Sequence, residues 1–319
     1  MIRLIVSYIL ILKFCFLFSH REGISKASHF EHYKQLNDKE QRLPGYKDND
    51  EALKLKLLQL DVINKSRKEF SAAPVQLDIL ASRVANKMCR EAAENDYVSH
   101  WNLAGEKPYH RFAFAGGHDH VTENAYGERT NREFNITNSL IGEMMKTGHR
   151  SFMAERAPND GHKMNVSNKA HNFVGIGYFI KDNQFRYYEE FIDRYLEFEN
   201  IPTVIRINEP ASITVNTKEE GYLYYLIIYR ELLPRPMRVS QLSRQGSYND
   251  YSKEDYLKIP AWDLARNRNG SIYKIPLKFS KVGLYYIQIF IDQKEHTGSS
   301  VISTKGKTAV SGIVIRVTR

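Results

Sequence analysis

Apolar residues recur every three to four positions in two early stretches of the chain. Leu53, Leu57, Leu60 and Ile63 form one stripe, which predicts a helix from about Asp50 to Phe70, ended ahead of Pro74. Leu77, Leu80, Val84, Met88 and Ala92 form the next, which predicts an amphipathic helix ending near Asn95 and Asp96. Residues 101–135 lose the period and are rich in Gly, Pro, His and aromatic side chains, so an ordered loop region is expected. A third helix is predicted from Asn138 to Lys146, followed by loop over 148–170. Then the grammar turns to strands. Phe173 to Ile180 reads as one strand, Asp182-Asn183 as a turn, and Phe185 to Tyr195 as the antiparallel partner.

Beyond Ile201 no useful helical period appears. Short strand-like runs fall at 203–207, 212–215, 222–229, 272–279, 284–291 and 312–317, with turns between them. This spacing predicts a β-sandwich over 200–319. A long polar excursion at 239–270 carries several tyrosines and is a candidate binding loop. At the other end, residues 20–50 are polar and mixed, with Pro44-Gly45 and Asp48-Asn49-Asp50, and read as a flexible lead-in.

The first 19 residues read differently. Arg3 precedes the apolar run Leu4 to Leu12, and Lys13 separates it from Phe14 to Phe18. A basic start and a short apolar stretch predict a secretory signal peptide, with an uncleaved anchor as the alternative. Neither side of Lys13 reaches the roughly 20 apolar residues that a membrane span needs. Of the two cysteines, Cys15 lies in this segment, so Cys89 would be left without an intrachain partner. The formal charge of +9 favours anionic surfaces, but no block of basic residues concentrates it. The expected partners are therefore an envelope, glycan, lipid or protein ligand, and not nucleic acid.

Seven of the 11 histidines lie between His100 and His171, interleaved with carboxylates. Histidine and carboxylate are the side chains that bind zinc-type metals or move protons near neutral pH. The order is His100 after the second helix, Glu123 in Thr122-Glu123-Asn124, Glu143 in the third helix, and His162 in Asp160-Gly161-His162. Two imidazoles and two carboxylates meeting in one cleft could hold a divalent cation through the histidines. The same residues could equally tie loops together by hydrogen bonds alone. Glu189 and Glu190 sit side by side on a strand, so alternation sends them to opposite faces.

These landmarks resemble the CAP superfamily, whose module is also called the SCP domain. Asn64 and Arg67, Pro74-Val75-x-Leu77, His100, Gly105-x-x-Pro108-x-x-Arg111, Glu123-Asn124, Gly161-His162 and Val174-Gly175-Ile176-Gly177 follow one another in the family's order across residues 52–198. The missing disulfides point to a bacterial-type secreted member. Two departures stand out: Ile63 replaces a histidine of the first helix, and no aromatic residue sits a few positions before Glu143.

The resemblance implies an α+β fold: a three-layer α-β-α sandwich over 51–199, here followed by an all-β, Ig-like sandwich over 200–319. It implies a surface cleft with His100 and His162 as metal ligands, for zinc or another divalent cation, and Glu123 and Glu143 as the candidate catalytic pair. His149, in Gly148-His149-Arg150, competes with His162 as the closing histidine. His149, His120 and Asn124 are expected as cleft neighbours. The leading expectation is a secreted or envelope-associated binding or interaction protein. The alternatives are a metal-assisted, peptidase-like hydrolase with Glu123 as general base, and a lipid- or sterol-binding protein.

Overall fold

The computed structural model describes residues 26–218, 221–245, 248, 255–296, 298 and 302–319. The signal or anchor expected over residues 1–19 lies outside them. No helix among the described residues is long and apolar enough to cross a membrane.

The first half of the chain is built on one sheet. Its strands are β1 (Gln76–Leu77), β2 (His120–Arg129), β3 (Phe173–Lys181) and β4 (Gln184–Asp193), in the order β1-β3-β4-β2. β1 runs parallel to β3, and the other pairings are antiparallel. On one face lies α3 (Ile79–Glu94), with Asp78 accepting the Ala81 N–H as its cap. Gly175 and Gly177 permit this close packing, since a Cβ at either would meet Ala81 or Ala85 at about 2.4 Å. The other face is covered by α2 (Asp50–Glu69) and α5 (Asn138–Ala154). Leu53, Leu60, Ile63, Met144 and Met145 there pack against Val174, Ile176, Phe185, Tyr187 and Phe191. The sheet is thus sandwiched between helices.

Two expectations need correction here. The stretch 20–50 is not a flexible lead-in where it is described: α1 (Lys26–Lys39) and a 3-10 turn (Pro44–Tyr46) form there. The polar composition concealed this because polar anchors hold the segment. Arg83 donates to the carbonyls of Asn37, Glu40 and Arg42, and Leu77 N–H donates to the Tyr33 hydroxyl. The loops expected at 101–135 and 148–170 also contain structure: α4 (Pro108–Phe114), β2, the last two turns of α5, and α6 (Gly161–Ser167).

The second half contains two further sheets. One has the order β10-β11-β7-β5, made of Arg268–Asn269, Ile272–Leu277, Ala211–Asn216 and Glu197–Glu199. The other runs β6-β14-β12-β8-β9, made of Val204–Arg206, Ile313–Thr318, Gly283–Asp292, Tyr222–Glu231 and Asp255–Pro260, with β13 (Thr308–Ala309) beside β12. Both sheets feed one core, in which Ile213, Val215, Ile275 and Leu277 meet Leu226, Ile228, Ile287 and Ile289. Two short helices, α7 (Val239–Leu242) and α8 (Ala261–Ala265), fall within the predicted excursion.

The two halves share a seam. Leu80, Val84, Tyr109 and Phe112 pack in one cluster with Leu284, Tyr286 and Val314. Glu231 sits buried in this seam, accepting from Lys107 Nζ and Tyr109 Oη at 2.8 Å each.

Candidate functional site

A cleft of about 820 Å³ opens over the edge strand β2. It is lined by His100, Thr122, Glu123, Asn124, Glu155 and His162, with Tyr248 at one end.

His100 follows the left-handed residue Asp96, which turns the chain out of α3, and the loop is fixed where Tyr188 Oη donates to the Ser99 carbonyl (2.8 Å). Its Nδ1 lies 2.8 Å from Glu123 Oε1. A carboxylate only accepts, so Nδ1 carries the proton and Nε2 keeps its lone pair. Burial pushes the His100 pKa down to about 4, and the nearby Arg111 charge adds to this, so the ring is neutral at physiological pH. His162 stands at the start of α6. Its Nδ1 meets Glu155 Oε1 at 2.5 Å, and its backbone N–H donates to Glu155 Oε2 at 2.9 Å. One carboxylate thereby holds both the ring and the helix end. The two imidazole centroids are 5.9 Å apart.

Glu123 has no side-chain exposure, and Arg111 of α4 donates to its second oxygen. Arg111 also donates to the His100 carbonyl at 2.7 Å, so one guanidinium ties the loop to the strand. Glu190, opposite Glu123 in the β4 register, is buried as well and lies 3.6 Å from Arg111. Burial, reinforced by the Glu123 charge, holds the Glu190 carboxyl well above the usual range. Burial raises Glu123 as well, but the Arg111 charge opposes that shift, so Glu190 is the member of the pair that holds a proton more readily. Glu189 points the opposite way, as strand alternation requires. It accepts from Asn124 Nδ2 at 3.1 Å and from Tyr187 Oη at 2.6 Å.

The structure gathers His100, Glu123, Asn124 and His162, but not the other predicted residues. Glu143 lies on the outer face of α5, 58% exposed and paired with Lys146 at 2.8 Å. Helical periodicity turns Ile141, Met144, Met145 and Gly148 inward and leaves position 143 facing out. The second cleft carboxylate is Glu155, just past the helix end. Phe152, three residues ahead of it and 4.9 Å from the His162 ring, is the aromatic found missing before Glu143, and could have revealed it.

His149 is not in the cleft: Glu189 and Ser66 engage both of its nitrogens, at 2.7 and 2.9 Å. His120 faces a separate pocket, with Nδ1 on Asp193 at 2.9 Å. Arg111, Glu155 and Glu190 join the site unexpectedly, and Tyr248 comes from the 239–270 excursion, the candidate binding loop.

No group of three or more His, Cys, Asp or Glu side chains among the described residues is arranged to hold a metal ion. Glu123 and Glu155 are committed to the Nδ1 atoms, which leaves two imidazole Nε2 atoms as donors. A closed four-ligand zinc centre does not fit this set. An exchangeable divalent cation, completing its shell with water or ligand atoms, does.

No protein-family model matches the chain, and no curated protein matches it. Similar solved structures include an extracellular SCP-domain protein from Bacillus anthracis strain Ames, at 18% identity over 43% of this chain and 39% of that one, with TM-score 0.33. An outer surface protein from Borrelia burgdorferi is 16% identical over 44% of this chain and 93% of that one, with TM-score 0.34. A cysteine-rich secretory protein from Staphylococcus aureus is 16% identical over 44% and 39%, with TM-score 0.28. The chain spans about two fifths of the length of the first and third of these proteins.

Proposed function

We propose that this is a CAP-type protein, secreted or associated with a cell envelope, whose cleft binds a ligand through His100 and His162. One observation carries the reading. Each imidazole is oriented at Nδ1 by its own carboxylate, Glu123 or Glu155, and no protein partner is described for either Nε2. A carboxylate behind the ring fixes its orientation and aims Nε2 at a ligand or cation. When bound, a divalent cation such as zinc would supply Lewis acidity or a bridging charge between these rings and the ligand. Binding is favoured over base catalysis because Glu123 is sealed, with one oxygen on His100 and the other on Arg111. The motif order read from the sequence supports the family, and the signal-like first 19 residues support the setting.

The test is Zn²⁺ titration of the purified protein by calorimetry, repeated with His100→Ala plus His162→Ala. Uptake of about one equivalent, abolished in the double variant, is expected. Equal uptake by both proteins would sink the site assignment.

A further inference from the structure

The cleft is not completed by the first half of the chain. After β8 ends at Glu231, the backbone leaves the second half and crosses the first. Gly105 has a positive φ of 78°, and a Cβ there would strike the Arg235 carbonyl at 2.3 Å, so this crossing needs glycine. Two residues on, Met237 N–H donates to the Leu103 carbonyl at 2.7 Å. Leu242, 2% exposed, packs in a cluster with Met88, Tyr97 and Tyr188. The segment is therefore docked at Arg235, Met237 and Leu242, and Tyr248 stands at the cleft.

Tyr248 makes two contacts with the site. Its ring centroid is 4.7 Å from that of His100. Its hydroxyl accepts the Glu123 backbone N–H at 2.8 Å and lies 3.4 Å from the Glu123 carbonyl. β2 is an edge strand, so these two backbone groups face away from β4, and the phenol takes the place that a ligand hydroxyl or amide would fill. We propose that Tyr248 is a specificity-determining residue of the cleft, supplied by the second half of the chain. It packs against the His100 ring and occupies the Glu123 edge, and so narrows the approach to His100 Nε2. A ligand carrying its own hydroxyl or amide gains the Glu123 edge only by displacing the phenol. This rests on the cleft being a ligand site, and it assigns the control of one end to a residue 125 positions away from Glu123.

Diethyl pyrocarbonate labelling of the full chain, mapped by mass spectrometry, tests the cover without any ligand. The Tyr248→Ala variant is expected to label at His100 at least about fivefold faster than the parent, while Tyr248→Phe stays within about twofold. His32 and His296 serve as references. An unchanged His100 rate in Tyr248→Ala overturns the proposal, as does a matching rise at buried His149, which would report general loosening. In Tyr248→Phe, exchange of the Glu123 amide should accelerate at least about tenfold, and an unaltered rate removes the hydroxyl from the argument and overturns it. Zn²⁺ titration of the same variants separates the two readings: His100 rates split as expected with no Zn²⁺ uptake supports the role of Tyr248 and sinks the cation.

Discussion

In the cleft, His100 and His162 each give Nδ1 to a carboxylate and keep 24% and 30% side-chain exposure. In two other histidine–carboxylate pairs, His149 with Glu189 and His171 with Asp193, the rings are 1% and 0% exposed. The buried rings use both nitrogens: His149 Nε2 meets Ser66 and His171 Nε2 meets Asn165, each at 2.9 Å. Identical residue types thus serve two ends. Where the second nitrogen is spent on the protein, the pair holds the fold together. Where it is left to the cleft, the pair is available for chemistry. Counting histidines in the sequence could not make this distinction, because it depends on what stands behind each ring.

The comparison can be broken in three places. Arg111→Met should have the largest effect, since it leaves two buried carboxyls without their shared cation. A loss of about 3–5 kcal/mol is expected on breaking a buried pair, read by urea denaturation. A loss under 1 kcal/mol would mean that Glu123 takes up a proton at no great cost. Next, His149→Ala should destabilise by about 2–3 kcal/mol, from a cavity and an unsatisfied Glu189, while His162→Ala costs under about 1 kcal/mol. Equal costs for the two would erase the line between structural and available histidines.

The smallest effect lies in the acid dependence. The folded-state pKa of His100, about 4, is below its ordinary value of 6.5. The folded protein therefore binds this proton less readily than the unfolded chain does. The contribution is complete above pH 6.5 and is lost as pH falls towards 4. The stability profile of His100→Gln should be flatter than the parent's across that window. Parallel profiles at pH 4, 5, 6 and 7 would show that the ring is not desolvated.

The elements with a strong period were legible. The apolar stripes placed α2 and α3, and the Val174-Gly175-Ile176-Gly177 run marked β3 correctly. The opposite facing of Glu189 and Glu190 followed from alternation alone. By contrast α1 lacks an apolar stripe, and its buried bonds to Arg83 come from residues more than 40 positions away. Glu155 was not legible because the predicted helix ends at Lys146, whereas α5 runs on to Ala154 and brings residue 155 to the cleft. Arg111 stands in the Gly105-x-x-Pro108-x-x-Arg111 motif and Glu190 on a predicted strand, but their role arises only from burial around a register pair. The tyrosines of 239–270 marked a candidate binding loop, but no local pattern reports the contact of Tyr248 with Glu123 across 125 residues.

The seam that joins the halves has a practical consequence for anyone dissecting the molecule. A fragment stopping at Asp193 would carry Leu80, Val84, Tyr109 and Phe112 to its surface, stripped of Leu284, Tyr286 and Val314. It would also leave Lys107 without Glu231. Such an exposed apolar face invites self-association. A truncated preparation would then report the stickiness of a torn surface, with a cleft lacking its far wall, and its behaviour would be a poor guide to that of the whole chain.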